Sequence, residues 1–456
     1  MKTIATVNPA TEKTLHEYKL HSRQEAEEII ASLSHQQKEF RKTSFKERAL
    51  LLKNLSQELR SETTALAELI TSEMGKPLAQ AKAEVEKCAW VCDYYAENGE
   101  LFLQDTEIAT DAFKSLVSFR PLGVTLGIMP WNFPFWQVFR FAVPSVMAGN
   151  TALLKHASNV SGSSLVIERL FEDAGFPKNV FRSIIYPAAS MEDIISHPAV
   201  KTVSITGSTL AGKSVASIAG KYLKKCVLEL GGSDPYVVLK DADLPLAVAA
   251  CAKGRLINGG QSCIAAKRFI VVKDVVKEFT ELLVSEFKTY RTGNPMDQQY
   301  SVGPLAKKEF VEEIALICES SEKMGARLIY REEAAFSEGF YFTPRIYTGV
   351  TSEMSLFREE TFGPVAVIIE AKDAEDAFRL ANDSPFGLGG AVFTSDRHFG
   401  EIAAKEYIEA GSVFVNDFVR SDPRLPFGGI NESGYGRELA PFGIREFTNI
   451  KTVYIK

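Results

Sequence analysis

A cysteine in a glycine-rich setting is the first residue of this sequence that could carry covalent chemistry. Asn258-Gly-Gly-Gln-Ser-Cys263 leads into an apolar run. We expect the thiol to open a helix, where the positive end of the helix dipole favours the nucleophilic thiolate. A small buried thiol without chemistry is the better interpretation of this segment when it is taken alone.

A glutamate at the end of an apolar strand is the second candidate. The segment is Val227-Leu-Glu229-Leu-Gly-Gly232. Burying a charged carboxylate is costly, so its pKa would be raised, which suits a general base. A loop-edge glutamate paired with a nearby lysine explains the segment equally well.

A strand that runs into a glycine and then a helix is the third feature. In the segment 202–213, Gly207 ends the strand and Gly212 lies in the first turns of the helix. Free backbone N–H groups at such a helix start could bind a pyrophosphate. The spacing differs from GxGxxG, and an ordinary strand–helix turn is the stronger interpretation of this motif alone.

Two further segments place a polar group beside aromatic residues. Within 129–134, the amide of Asn132 lies in a rigid, proline-bounded turn and could donate to a developing oxyanion. Within 358–364, Glu360 could accept hydrogen bonds from a ribose against which Phe362 packs. A rigid structural corner and a solvated acidic turn are the respective alternatives.

Helices and alternating strands must position these residues. Residues 22–98 have helical periodicity, with a capping box at Ser22–Glu25 and a break at 75–77. Strands then alternate with helices such as Ser161–Ala174, which predicts a parallel sheet with ligands at the carboxyl ends of its strands. The predicted strands are Val124–Met129, Thr151–Leu154, Val180–Ile185, Thr202–Ile205 and Val227–Leu230.

A second α/β domain is predicted from about Pro235, with strands at Tyr236–Leu239, Phe269–Val272 and Val365–Ile369. The final segment, Thr448–Ile455, alternates β-forming and polar residues. It is expected to form an exposed strand that must pair with another strand.

Composition excludes several classes of protein. The chain has 456 residues and a net charge of −6, which disfavours nonspecific binding to nucleic acid. Neither a signal peptide nor a membrane helix is evident. The six cysteines are scattered, and Cys88 and Cys92 have no matching second pair, so no metal site is expected. A reduced, cytoplasmic protein is predicted.

Together these segments resemble the aldehyde dehydrogenase superfamily, from Asn8-Pro9-Ala10 to the segments 426–429 and 436–438. Within it, the chain is similar to the short bacterial succinate-semialdehyde dehydrogenases. The resemblance implies an α/β fold with a Rossmann-type cofactor domain (1–110 and 121–230), a catalytic domain (231–432) and an oligomerisation strand region (111–120 and 433–456). A homodimer or homotetramer is therefore expected.

The resemblance also implies catalytic roles. Cys263 attacks the carbonyl carbon, and Asn132 and the Cys263 backbone N–H stabilise the oxyanion. Hydride transfer to the nicotinamide yields a thioester, which water activated by Glu229 hydrolyses. Glu438 matches a carboxylate of the proton relay. One alternative is a dehydrogenase of the same fold in which CoA, instead of water, cleaves the thioester. Glu229 argues against it, because those enzymes usually lack this glutamate. The other is an inactive structural protein like the lens crystallins, against which the presence of Cys263, Glu229 and Asn132 argues.

The cofactor site implied by the resemblance spans the predicted sheet. At position 158, a glutamate in other members repels the 2′-phosphate of NADP+. Ser158 lacks that charge, so we expect NADP+ to be accepted and preferred, with NAD+ usable. Ser158 as a simple helix N-cap is the alternative. The implied residues are Trp131, Lys155, Ser158, Gly207, Ser208, Gly212, Leu230, Glu360 and Phe362.

The substrate implied by the resemblance is succinic semialdehyde, oxidised to succinate; another carboxy-semialdehyde or a broader range is the alternative. Arg140 occupies the position of a carboxylate-binding arginine, with Arg420 and Ser421 in the loop that closes the substrate mouth. Pairing of Arg140 with an internal acid is the competing interpretation. Ile257 and Ala265 depart from some of these enzymes, which have an arginine and a redox-active cysteine there.

Overall fold

The amino-terminal helices begin and end at recognisable sequence signals. The computed structural model describes residues 2–456. Ser22 and Ser44 each form a capping box with the glutamate three residues later, and Gly75, at φ +81°, ends a helix. The break at 75–77 is confirmed, whereas the capping box at Ser44 was not predicted. This part contains β1 (Thr3–Val7), β2 (Thr14–Lys19), α1 (Arg23–Phe40), α2 (Phe45–Ser61), α3 (Thr63–Met74) and α4 (Leu78–Leu103).

The first large sheet has the parallel order β9-β8-β5-β6-β7. All five predicted strands are confirmed, with ends that differ by at most two residues. The elements of this region are β3 (Thr106–Glu107), β4 (Lys114–Pro121), β5 (Val124–Met129), α5 (Trp136–Met147), β6 (Thr151–His156), α6 (Ser161–Asp173), β7 (Phe181–Ser183), α7 (Met191–Ile195), β8 (Val200–Thr206), α8 (Thr209–Lys221) and β9 (Lys225–Glu229).

The second large sheet contains the three strands that were predicted after Pro235. Its seven strands have the order β12-β13-β14-β11-β10-β15-β16, and only the β12–β13 pair is antiparallel. The elements are β10 (Asp234–Val238), α9 (Leu244–Leu256), β11 (Ala266–Val272), α10 (Val276–Phe287), α11 (Lys308–Lys323), β12 (Arg327–Arg331), β13 (Arg345–Thr348), α12 (Ser355–Arg358), β14 (Val365–Ala371), α13 (Ala374–Asn382), β15 (Gly389–Phe393), α14 (Arg397–Glu406) and β16 (Ser412–Val415).

The carboxyl-terminal segment joins two different sheets. It forms β17 (Gly434–Tyr435), α15 (Ala440–Glu446) and β18 (Thr448–Ile455). β17 pairs with β9, which adds an antiparallel edge to the first sheet. β18 pairs with β4 in a small sheet of order β18-β4-β3. The predicted partner strand therefore lies in the same chain, while the outer edge of β18 stays free in this structure.

Helix α5 is the central helix of the first domain's core. Every residue of α5 is buried, as expected of a helix that is covered on all sides. Because α5 carries Arg140, the fold places a guanidinium in the interior, where it needs a polar or charged partner. Within residues 2–456, no helix has the length and apolar character that crossing a membrane requires.

Candidate active site

Cys263 lies in a turn rather than at the start of a helix. A short 3-10 turn (Ile257–Gly260) precedes it and β11 follows it. Asn258, Gly259 and Gly260 have φ of +53°, +61° and +76°, which interrupts the helical course of α9. The apolar run after Cys263 contains β-formers and becomes a strand. The expected helix start at Cys263 is therefore wrong, and no helix dipole acidifies this thiol.

Two cavities meet at Cys263. The first cavity, of about 850 Å³, lies between α4, α5 and the loop after β16. The second, the sheet-end cavity, has about 790 Å³ and lies at the carboxyl ends of the strands of the first sheet. Of all residues from 2 to 456, Cys263 alone lines both cavities. A group in either cavity can therefore approach the same sulfur atom.

Asn132 packs against the turn that precedes Cys263. The side chain is 3% exposed, and its Nδ2 donates to the carbonyl of Gln261 at 3.1 Å. Asn258 Nδ2 donates to the backbone carbonyl of Asn132 at 2.7 Å. Asn132 lines the sheet-end cavity together with Cys263. One amide proton of Asn132 is used by Gln261, so the other is available to an oxyanion.

Burial makes Cys263 a weak acid in this structure. It raises the pKa of the thiol to about 12, while the nearby charges of Arg140 and Lys267 act in the opposite direction. Lys267 Nζ donates to the carbonyls of Ser262 and Cys263 at 3.0 and 2.7 Å. Lys267 was not predicted as a site residue, although it lies four residues after Cys263. Its contacts depend on the turn, which the sequence did not reveal.

Glu229 is buried and lies outside both cavity linings. Its side chain is 2% exposed, and neither carboxylate oxygen has a hydrogen-bond partner in the part of the chain that the structure describes. Burial and the neighbouring Glu438 raise its pKa well above the usual range. A β-carbon at Gly428 would lie 2.7 Å from Glu229 Oε1, so the glycine makes room for this carboxyl group.

Glu438 is the member of the Glu229–Glu438 pair that has polar partners. It forms an ion pair with Arg140 and accepts a hydrogen bond from Ser204 Oγ at 3.1 Å. Burial raises the pKa of both carboxyl groups, but hydrogen bonds from Ser204 and Arg140 act in the opposite direction at Glu438, whereas Glu229 has no such partner among the described residues. β17 brings Glu438 to this position because it pairs with the end of β9 at Glu229.

Arg140 is paired with an internal acid. The Arg140 and Glu438 side chains are 2% and 0% exposed, and Arg140 Nη2 also donates to Thr206 Oγ1 at 3.3 Å. Its guanidinium carbon lies 4.5 Å from the centre of the Phe427 ring. Arg140 still lines the cavity between α4 and α5. The competing interpretation from the sequence, an internal ion pair, thus describes this structure.

The loop after β16 supplies the other two predicted substrate residues. Arg420 is exposed and pairs with Asp417 at 2.5 Å. Ser421 is buried, and its Oγ accepts from Trp136 Nε1 at 3.0 Å and from Lys87 Nζ at 2.8 Å. Lys87 was missed from the sequence. The signal that could have identified it is the position of this lysine beside Cys88, which belongs to the buried face of α4.

Most predicted cofactor residues line the sheet-end cavity. Ser208 Oγ caps α8 by accepting from Ala211 N at 3.3 Å, and the Trp131 ring stacks on Phe310 at 4.8 Å. Glu360 Oε1 accepts from Gly232 N at 3.1 Å and lies 3.3 Å from Lys267 Nζ. The predicted residues that line this cavity are Trp131, Asn132, Gly207, Ser208, Leu230, Glu360 and Phe362.

Three predicted cofactor residues lie outside this cavity lining. Gly212 is buried where α8 packs against Leu230, which leaves no room for a β-carbon. Lys155 is half-buried near the end of β6, and burial lowers its pKa. Ser158 is exposed in a 3-10 turn and caps neither that turn nor α6.

The N-cap alternative for Ser158 is therefore wrong. Glu73 takes that role, because its carboxylate accepts from Gly162 N and Ser163 N at 2.8 and 2.9 Å. The long-range carboxylate satisfies the first N–H groups of α6, so no local hydroxyl is needed. The Ser158 side chain is left at the protein surface.

Comparison with known proteins identifies the family of the chain. The model of the aldehyde dehydrogenase family matches residues 1–453. The chain belongs to the aldehyde dehydrogenase family. This membership confirms the resemblance inferred from the sequence, and it covers essentially the whole chain.

Relatives of this aldehyde dehydrogenase match over nearly their whole lengths. It is 43% identical to the Escherichia coli (strain K12) protein named succinate semialdehyde dehydrogenase [NAD(P)+] Sad, covering 98% of this chain and 97% of that one. It is 43% identical to a probable succinate-semialdehyde dehydrogenase [NADP(+)] of Synechocystis, covering 99% of both chains.

A solved structure confirms the expected α/β fold. Succinic semialdehyde dehydrogenase from Streptococcus pyogenes, in complex with NADP+, is 36% identical and superposes with a TM-score of 0.97. The superposition covers 99% of each chain. The fold of this family member is therefore that of the aldehyde dehydrogenases.

Proposed function

We propose that this aldehyde dehydrogenase oxidises succinic semialdehyde to succinate, with NADP+ preferred and NAD+ usable. The observation that carries the proposal is the position of Cys263, which lines both the cavity between α4 and α5 and the cavity at the sheet end. The names of the relatives from Escherichia coli and Synechocystis support the substrate and the cofactor.

The residues of the sheet-end cavity suit a dinucleotide. The free N–H groups at the start of α8, beside Gly207 and Ser208, suit a pyrophosphate, and Glu360 can accept from ribose hydroxyls. Trp131 and Phe362 offer aromatic walls. A nicotinamide held by these residues would supply the acceptor for the hydride.

Cys263 and Asn132 carry the first chemical step. The Cys263 thiol would first give up its proton to solvent water, and its sulfur would then attack the carbonyl carbon of an aldehyde in the cavity between α4 and α5. Negative charge develops on the carbonyl oxygen, where the free Asn132 amide proton and the Cys263 backbone N–H would stabilise it. The attack yields a thiohemiacetal, and loss of a hydride from its carbon yields a thioester. Covalent attachment thus turns one difficult step into two easier ones, because the thioester is reactive toward water.

Glu229 is proposed to activate that water. Burial raises the pKa of its carboxyl group, which lies outside both cavity linings, so Glu229 would have to turn toward Cys263 in its carboxylate form to act as a base. No hydrogen bond to the described residues restrains the carboxyl group in its present position. A base of raised pKa accepts a proton readily near neutral pH.

The assignment of NADP+ rests on Ser158 and Lys155. The exposed Ser158 hydroxyl carries no charge and can donate to a 2′-phosphate, and Lys155 adds a positive charge on the preceding strand. Both lie outside the lining of the cavity at the carboxyl ends of the first sheet. Glu360 and Lys155 would hold ribose hydroxyls that NAD+ shares, which would leave NAD+ usable.

We further propose a homodimer or homotetramer in the cytoplasm. The outer edge of β18 is unpaired and carries exposed Ile450 and Tyr454, which makes it a candidate for pairing with a second copy. The six free cysteines suit a reducing compartment.

The test is NADPH formation by the purified enzyme with succinic semialdehyde, glutaric semialdehyde and butanal, each with and without CoA. We expect succinic semialdehyde to have the highest kcat/KM and CoA to have no effect. Cys263→Ala serves as the control for background reduction of NADP+. No NADPH from any aldehyde, or turnover that depends on CoA, would contradict the proposal.

A further inference from the structure

The cavity between α4 and α5 contains a cation that the function so far does not use. We propose that Lys87 determines substrate specificity by binding the carboxylate of the aldehyde substrate, assisted by the hydroxyl of Ser421. This inference rests on the proposed function, since it requires a substrate with a carboxylate. It assigns the carboxylate to a residue other than Arg140.

The ammonium group of Lys87 has unused hydrogen-bonding capacity. Nζ donates to Ser421 Oγ at 2.8 Å and lies 4.2 Å from the centre of the Trp136 ring. An ammonium group has three donors. Lys87 forms no ion pair with any of residues 2–456, so donors remain for a ligand in the cavity.

The other two cations of this cavity are already paired. Arg140 forms its ion pair with Glu438, and Arg420 forms its own with Asp417. The acid of the cavity wall, Glu84, pairs with Lys76 and accepts from the backbone N–H groups of Phe135 and Trp136. The charge of Lys87 is consequently the one that the protein leaves for a ligand.

Ser421 completes a receptor for an anion. Its oxygen accepts from both Lys87 Nζ and Trp136 Nε1, which occupies the two acceptor positions of a hydroxyl. The Ser421 proton is therefore left to donate. A carboxylate can accept from this O–H and from the ammonium group together, and a charge-assisted bond of this kind is stronger than a neutral one.

The electrostatic surroundings of Lys87 favour the binding of an anion. Burial, and next the positive charge of Arg140 on α5, lower the pKa of Lys87 to about 8. Glu84 and Cys88 on its own helix and Asp422 on the loop after β16 act in the opposite direction. A bound carboxylate would offset the cost of this buried cation.

The experiment compares two aldehydes of four carbons, succinic semialdehyde and butanal, with saturating NADP+. In Lys87→Met, we expect kcat/KM for succinic semialdehyde to fall about tenfold to a hundredfold, mainly through KM. The value for butanal should change much less. Lys87→Arg, which keeps the charge, should retain most of the preference. Lys82→Met on the same helix is the matched control and should behave like wild type.

A second measurement does not depend on turnover. In the Cys263→Ala background, the Kd of succinate is measured by calorimetry with Lys87 present and with Lys87→Met. Weaker binding of succinate in the second protein is expected, with no change in the Kd of NADP+.

The outcomes separate the two proposals. A wild type without preference for succinic semialdehyde over butanal refutes the proposed function. A wild-type preference that persists in Lys87→Met, with unchanged succinate binding, overturns the role of Lys87 alone. Equal losses for both aldehydes would make Lys87 a structural residue and would also overturn it.

Discussion

Replacement of Arg140 tests whether this arginine binds the substrate or stabilises the folded protein. Arg140 and Glu438 are almost completely buried and form an ion pair. Removing one partner of such a pair typically costs about 3–5 kcal/mol, because the other charge is left without compensation. In Arg140→Leu, Glu438 would keep only the hydrogen bond from Ser204. Glu438 can take up a proton, so we expect a loss near the lower end of that range.

The pH dependence of that loss follows from the same reasoning. Burial already raises the pKa of Glu438 and Arg140 acts in the opposite direction, so loss of Arg140 raises this pKa further in the folded variant. The folded variant then binds an additional proton, so its stability falls as pH rises above the unfolded pKa. We therefore expect the deficit relative to wild type to be greater at pH 8 than at pH 6.

The assay combines urea unfolding with kinetics. Arg140→Leu should lower the unfolding midpoint and should reduce kcat/KM for succinic semialdehyde and butanal by similar factors. Arg140→Leu/Glu438→Leu should recover much of the stability, because both charges are gone. Arg420→Leu, which breaks an exposed pair, should cost at most about 1 kcal/mol. Unaltered stability with a loss confined to succinic semialdehyde would refute this reasoning and make Arg140 the carboxylate ligand.

Four more predictions concern other parts of the site. Glu229→Gln should accumulate an acyl-enzyme, seen by intact mass after a burst of NADPH; normal turnover would require a different base. The ratio of kcat/KM for succinic semialdehyde to that for butanal should fall as pH rises through about 8, where Lys87 loses its charge, and a flat ratio would contradict this. Ser158→Glu should shift the cofactor preference toward NAD+, because the carboxylate repels a 2′-phosphate; an unchanged preference would exclude this position as the determinant. Deletion of residues 448–456 should dissociate the oligomer in light scattering, and a monomeric wild type would contradict the assembly proposed for β18.

The sequence predicted the main strands because their signals are local. Val124–Met129 is rich in apolar residues and lies between proline and glycine turns, and the structure has that strand with those ends. The turn at Cys263 was mispredicted because an apolar run of this length is compatible with a helix or a strand. The positive φ angles at 258–260 decide between them.

The partners of charged residues were beyond the sequence. An internal acid was one of the two partners inferred for Arg140, but Glu438 lies about three hundred positions further along the chain and reaches it only because β17 pairs with β9. Lys87 and Ser421 are brought together by the packing of the loop after β16 on α4. Such contacts depend on tertiary structure, which residue spacing alone does not reveal.

The position of Cys263 between two separate cavities also bears on how such enzymes diversify. Residues that could select the aldehyde lie on α4, α5 and the loop after β16. Ser158, the residue proposed to select the nucleotide, follows β6 in the first sheet. Substitutions at distant sites without shared partners usually have additive effects. A descendant of this protein could therefore change its aldehyde specificity without changing its nucleotide specificity, or the reverse. Among residues 2–456, the two cavities in which these specificities would reside have only Cys263 in common.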